Sequence, residues 1–190
     1  MNTFQRNISK LTNFLRSSEY DGVVHKRLNF EIEKEIHSDP CTWFNIEFLL
    51  SMDTVEIYAY RSNFSAEDLN IFLRSWQEGK TNQKLKEILL TTCSDINLKE
   101  VLKGCGGELM DPRTTKHKFQ YLVGDPSTDV WICGGIHIKG KNGRIAVIEG
   151  NCSIEEDVSR TQIEEYLERV EDWNSENKTW FKEIFNIFIF

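Results

Sequence analysis

Three times in roughly its first hundred residues the chain sets a strand-like pattern before a helix-like one, with the strands centred near residues 30, 57 and 88. The first strand alternates Leu28, Phe30 and Ile32, and the second alternates Val55, Ile57 and Ala59. The third reads Leu85-x-x-Ile88-x-Leu90-x-x-Cys93. After each comes a stretch with apolar residues at helical spacing, over 42–52, 65–79 and 98–103. A strand–helix unit recurring at 27 and then 31 residues leaves one apolar face bare until a neighbour stacks on it. This spacing, with the leucine pattern of the third strand, predicts a short leucine-rich-repeat-like βα stack. An ordinary βαβ sheet of similar composition is the alternative, and the residues leave it open.

The middle helix carries the clearest local signals. Ser65 and Asp68 form a capping box, in which each side chain satisfies an orphan backbone N–H of the first turn. Leu69, Phe72, Leu73 and Trp76 form the apolar stripe, and Gly79 stops the helix. Ahead of the repeats, Phe4, Ile8, Leu11 and Leu15 predict an amphipathic helix over 3–17. Beyond them, 105–129 is polar and turn-rich, with a short strand at Phe119 and Tyr121. The β-rich runs 131–139 and 144–149 flank Gly140-Lys141-Asn142-Gly143, and Asn-Gly favours the left-handed backbone of a tight hairpin. The tail predicts two helices, 161–173 and 178–188, the second with an apolar stripe of Trp180, Phe181, Ile184, Phe185 and Phe188. The expected architecture is α/β: the βα stack, then a β-hairpin region, then C-terminal helices. Residues 1–44 hold the first helix and first unit, 45–150 the central domain, and 151–190 an acidic helical cap on that domain.

Charge narrows the function classes. The chain of 190 residues carries 23 Lys and Arg against 30 Asp and Glu, a net −7. Residues 149–190 alone hold eleven acidic and four basic side chains, so the excess lies in the tail. A general nucleic-acid binder needs a basic face; Lys139, Lys141 and Arg144 at the hairpin tip are too few for one. No apolar run approaches the roughly 18 residues of a membrane-spanning helix, and the first 18 residues lack the apolar block of a signal peptide. The five cysteines, at 41, 93, 105, 133 and 152, form no C-x-x-C pair. Free thiols in the cytoplasm or nucleus are expected. The histidines at 25, 37, 117 and 137 are scattered. Cys133 and His137, four apart in a strand, stand about 13 Å from one another along it, so no metal or other cofactor is expected.

The string Ser65-x-x-Asp68-Leu69-Asn70-x-Phe72-Leu73-Arg74-x-Trp76-x-x-Gly79, followed by Leu85-x-x-Ile88, resembles the type-2 F-box-associated domain expanded in nematodes. A second block resembles it too: Gly134-Gly135-Ile136-His137-Ile138-Lys139, then Asn142-Gly143-x-x-Ala146-x-Ile148. The similarity runs over about residues 45–150. Family members generally follow an F-box, which docks on a Skp-type adaptor of a cullin-RING ubiquitin ligase, while the associated domain holds the substrate. The residues ahead of the similarity lack the leucine-proline-led three-helix pattern of an F-box. The resemblance thus implies a protein partner, either a ubiquitylation substrate or a sequestered protein. It implies a Skp-type adaptor only where an F-box is supplied elsewhere.

In a βα stack, partner binding falls on exposed strand faces and loops. The candidate contacts are Glu56, Tyr58 and Tyr60 of the second strand and Lys86 and Glu87 of the third, with the polar stretch 111–129 beside them. Tyr suits a protein interface because its rigid ring loses little entropy on binding. The motif residues read as scaffold: Asp68 caps, Asn70 lies on the polar side of the helix, and Trp76 fills the core with its N–H bonded nearby. No G-x-S-x-G, H-E-x-x-H or phosphate-loop string occurs. The expected activity is therefore non-catalytic protein recognition. Two alternatives stand beside it: an enzyme using Cys133 with His137, or Cys105, and a module that self-associates through the Trp180–Phe188 stripe.

Overall fold

The computed structural model describes residues 10–16, 31–37, 44–120 and 129–190. In chain order its elements are β1 (Lys10–Arg16), β2 (Glu31–His37), α1 (Ile46–Ser51), β3 (Glu56–Ser62), α2 (Ala66–Gln77), β4 (Glu87–Asn97) and α3 (Leu98–Val101). Then come β5 (Glu108–Met110), β6 (Lys116–Gln120), β7 (Asp129–Cys133), β8 (Gly135–Lys139), β9 (Ile145–Ile148), β10 (Asn151–Ser153), α4 (Arg160–Asn174) and β11 (Phe181–Ile189).

The strands form an eight-stranded sheet in the order β1-β2-β3-β4-β11-β9-β8-β5 and a three-stranded sheet, β10-β7-β6. From β1 to β4 the neighbours are parallel. From β4 onward every pairing is antiparallel, as it is throughout the small sheet. This corrects the expected leucine-rich-repeat-like stack: the architecture is a mixed α/β sheet with a second sheet against it. In a repeat stack each unit touches only its sequence neighbours. Here β4 continues instead into β11, with Phe185 opposite Leu90 and Ile187 opposite Ile88, across about a hundred residues of chain. The leucine pattern around Ile88 is that of a strand buried in mid-sheet, which repeat stacking and ordinary βαβ crossovers satisfy equally.

Alternation along the strands sorts side chains to two cores. On one face Ile57, Ala59, Ile88, Leu90, Ile136, Ile138, Ala146, Ile148, Phe185 and Ile187 meet the helices, whose Phe48, Leu49, Leu69, Phe72, Leu73, Trp76, Leu98 and Val101 are buried there. The intervening residues Val147 and Phe188 face the small sheet and pack with Phe119, Val130 and Ile132. Phe119 meets Phe188 edge-on at 5.0 Å between ring centres. The backbones approach closely where the sheets join. A Cβ on Gly135, at φ +84°, would lie 2.8 Å from the Cα of Gly150, so only glycine fits.

Two expected helices are strands. Residues 10–16, part of the helix expected over 3–17, form β1 beside β2. Residues 181–189, within or just past the helix expected over 178–188, form β11. Of the expected C-terminal helices only the first exists, as α4, and none of its residues is fully buried. The hairpin lies where Asn142-Gly143 place it, with Gly143 at φ +83° between β8 and β9. The Arg144 guanidinium fastens this turn to the loop that leads into β4, donating to the carbonyls of Gln83 (2.5 Å) and Leu85 (2.6 Å).

Candidate partner-recognition surface

Ser65 caps α2 as expected: its hydroxyl accepts the Asp68 N–H at 3.1 Å, and the Asp68 carboxylate accepts the Ser65 N–H at 2.9 Å. Asn70 does more than face the polar side. Its amide donates to the carbonyls of Val101 (2.7 Å) and Lys103 (2.8 Å), tying α2 to the turn that leaves α3. Gln77, two turns beyond, donates to the carbonyls of Cys105 (2.9 Å) and Lys139 (3.0 Å). Trp76 is buried as expected, but its indole N–H has no hydrogen-bond partner among the described residues. These side chains serve the scaffold, so a partner must be read elsewhere.

The face of β3 and β4 opposite the helices carries four of the five sequence-predicted contacts. Along β3 these are Glu56, Tyr58 and Tyr60; on β4, Glu87 is opposite Glu56 and Leu89 opposite Tyr58. The next strand, β11, continues the rows with Phe188 opposite Glu87, Asn186 opposite Leu89 and Ile184 opposite Thr91. Exposure grows along the strands. Glu56 (1% exposed) and Glu87 (3%) are buried, and the Tyr58 hydroxyl donates to the Glu87 carboxylate at 2.6 Å. Lys34 of β2 holds the register position beside Glu56. At the other end Tyr60 (36%) and Ile184 (54%) reach solvent, flanking Thr91, and Phe181 (54%) lies farther along β11. Lys86, just before β4, is also exposed, and its backbone is held between Val55 and Ile189.

The structure therefore separates the predicted contacts. Tyr60 and Lys86 are accessible, whereas Glu56 is buried beside the hydrogen-bonded pair of Tyr58 and Glu87. Ile184 and Phe181 belong to the accessible patch although the sequence placed them on a helix. The stretch 111–129 contributes the Asp111 turn and β6, and its residues 121–128 lie outside the described ones.

The groups named for catalysis do not converge. Cys133 on β7 is opposite Lys116 and Asn151, and burial pushes its thiol above the ordinary value. His137 engages the Gly134 carbonyl through Nε2 at 3.1 Å, and its ring lies 5.2 Å from that of His117 on β6. No hydrogen bond joins Cys133 to His137 among the described residues. Burial also raises the Cys105 thiol, which lies 3.7 Å from the Asn70 amide nitrogen. A nucleophilic cysteine requires the opposite shift. No group of three or more His, Cys, Asp or Glu with metal-binding geometry occurs among the described residues, and no described helix is long and apolar enough to cross a membrane.

Comparison with known proteins gives one match. No curated protein and no solved structure matches the chain. The family match takes in β2, α1, β3, α2 and the first residues of β4, and so begins well before residue 45. The downstream block from Gly134 to Ile148 lies outside it. Residues 25–90 of this chain match the family model described as F-box associated.

Proposed function

We propose that the chain is a non-catalytic recognition module that holds a specific protein, either as substrate for an F-box-type ubiquitin ligase or by direct sequestration. One observation carries the reading: the motif side chains of the matched segment are used up in capping, clamping and core packing, while the sheet they support presents Tyr60 and Ile184 to solvent on the two strands that flank β4. Rigid aromatic and aliphatic groups on a firm sheet lose little entropy when a protein covers them. Glu56, Tyr58 and Glu87 hold that patch in place, and Lys86 borders it. Docking on a Skp-type adaptor requires an F-box supplied elsewhere. The free thiols of Cys93, Cys105, Cys133 and Cys152 fit the reducing cytoplasm or nucleus. The segment 151–190 belongs with 45–150 in this reading, because β11 pairs with β4 and β9.

A photo-crosslinking residue placed at Tyr60 or at Ile184 tests it, with Leu167 on α4 as the control position. The same protein should be captured from both sheet positions and not from Leu167. Ile184→Asp should abolish capture from position 60. Capture of nothing, or of an identical set from all three positions, refutes the assignment. A second reading rests on the exposure of Phe181 and Ile184: the patch pairs two copies of the chain. A mass that stays monomeric at high concentration removes it.

A further inference from the structure

A groove of about 320 Å³ lies where the last turn of α2, the exit of α3 and the β8–β9 hairpin meet. Arg74, Lys139 and Lys141 line it, with Glu78 as its one carboxylate. Glu78 is paired with Lys80, outside the groove lining. Among the described residues, Arg74, Lys139 and Lys141 have no carboxylate within ion-pairing distance. After the Lys80 contact, the fields of Arg74 and Lys141 help hold the Glu78 carboxyl below its ordinary value. Three uncompensated cations thus converge in a chain whose net charge is −7.

The groove is built on a fixed frame. The Gln77 amide bridges the Cys105 and Lys139 carbonyls, and the Lys141 N–H donates to the Gln77 carbonyl at 2.7 Å. Gly140 lets the hairpin lie against the Trp76 ring: a Cβ there would stand 3.2 Å from Cη2. The backbone that carries the cations is therefore fixed before any ligand arrives, so that only their side chains remain to be ordered on binding.

We infer that this groove binds an acidic peptide segment of the recognised protein, its carboxylates running past Arg74, Lys139 and Lys141. This rests on the protein-recognition reading and adds to it the chemistry of a second contact. The backbone argues for a run of carboxylates over a single phosphate. A phosphate nest needs backbone N–H groups turned toward the anion. Here the Gly140 N–H is taken by the Arg144 carbonyl and the Lys141 N–H by Gln77. What the open groove offers is side-chain charge spread along its walls, which suits an extended polyanion.

The test is fluorescence anisotropy of the full chain with three labelled peptides of one backbone sequence, carrying a run of glutamates, the same run as glutamines, or a single phosphoserine. The glutamate peptide should bind, the glutamine peptide should not, and binding should weaken steeply with salt. Arg74→Glu, and Lys139→Glu with Lys141→Glu, should each weaken binding about tenfold or more, the size of one lost charge-assisted contact. Arg160→Gln, on the exposed face of α4, should leave it unchanged. Unchanged melting temperatures separate loss of charge from loss of fold. Equal affinity for the glutamate and glutamine peptides, preference for the phosphoserine peptide, or binding that survives both reversals overturns the inference. Crosslinking from Tyr60 and Ile184 is read independently, so failure here is distinguishable from failure of the recognition reading.

Discussion

Asn70 shows how one side chain closes a gap between two helices. Its amide group satisfies two carbonyls, of Val101 and Lys103, at the end of a helix of four residues too short to hold itself. Asn70→Ala leaves these acceptors only the weak Cys105 thiol at 4.0 Å and should lower stability by about 1–3 kcal/mol, measured by urea unfolding. Asn70→Asp should do at least as much harm, since a carboxylate cannot donate to a carbonyl. Nothing in the sequence distinguishes this Asn from a solvated one on a helix flank. Its role depends on the carbonyls that α3 brings to it from more than thirty residues away. Ser65 and Asp68 differ because both partners lie within one turn, so the capping box was legible directly.

Among the elements, local partnership again decides what could be read. α1, α2, α3 and the β8–β9 hairpin follow from caps, stripes and turn residues contained in short windows. β1 and β11 do not. Leu11 and Leu15, like Trp180, Ile184 and Phe188, are four residues apart, and that spacing returns to the same face in a helix and in a strand. Only the neighbours settle the matter, and for β11 these are β4 and β9, remote in sequence. Exposure at the candidate contacts was half legible for the same reason. Tyr60 and Lys86 were placed on an accessible face, while the burial of Glu56 and Glu87 and the arrival of Ile184 depend on how the sheet is completed. The strand assignment has a sharp consequence: Phe188→Ala removes the ring that meets Phe119 between the sheets. It should cost about 3–5 kcal/mol in chemical denaturation, as large-to-small core changes do. Exposed Phe181→Ala should change stability little. A helix packed by its Trp180–Phe188 stripe would make both changes costly.

At the scale of the whole molecule, the two sheets are joined by an apolar seam that carries two imidazoles. His117, on the small sheet, and His137, on the large one, lie 5.2 Å apart, and His117 also stacks on Phe190 at 4.7 Å. Burial holds His117 below its ordinary value of 6.5; burial first, and then the proximity of His117, does the same to His137 against the Gly134 carbonyl. The unfolded chain therefore binds more protons than the folded one once pH drops below about 6.5. Stability is full above that pH and declines as pH falls toward the lowered folded-state values. Melting temperatures measured from pH 8 to pH 5 should show this decline, and His117→Phe, which keeps an aromatic ring against Phe190, should flatten it. An unaltered slope in that variant would assign the acid sensitivity to other groups.

The central position of β11 governs the order in which this chain can mature. Translation delivers the parallel strands and the hairpin strands first, and each side then ends in bare backbone donors and acceptors awaiting a filler that is still inside the ribosome. Nascent chains halted shortly before Phe181 should accordingly be rich clients for chaperones that grasp open β-edges, and release should coincide with emergence of β11.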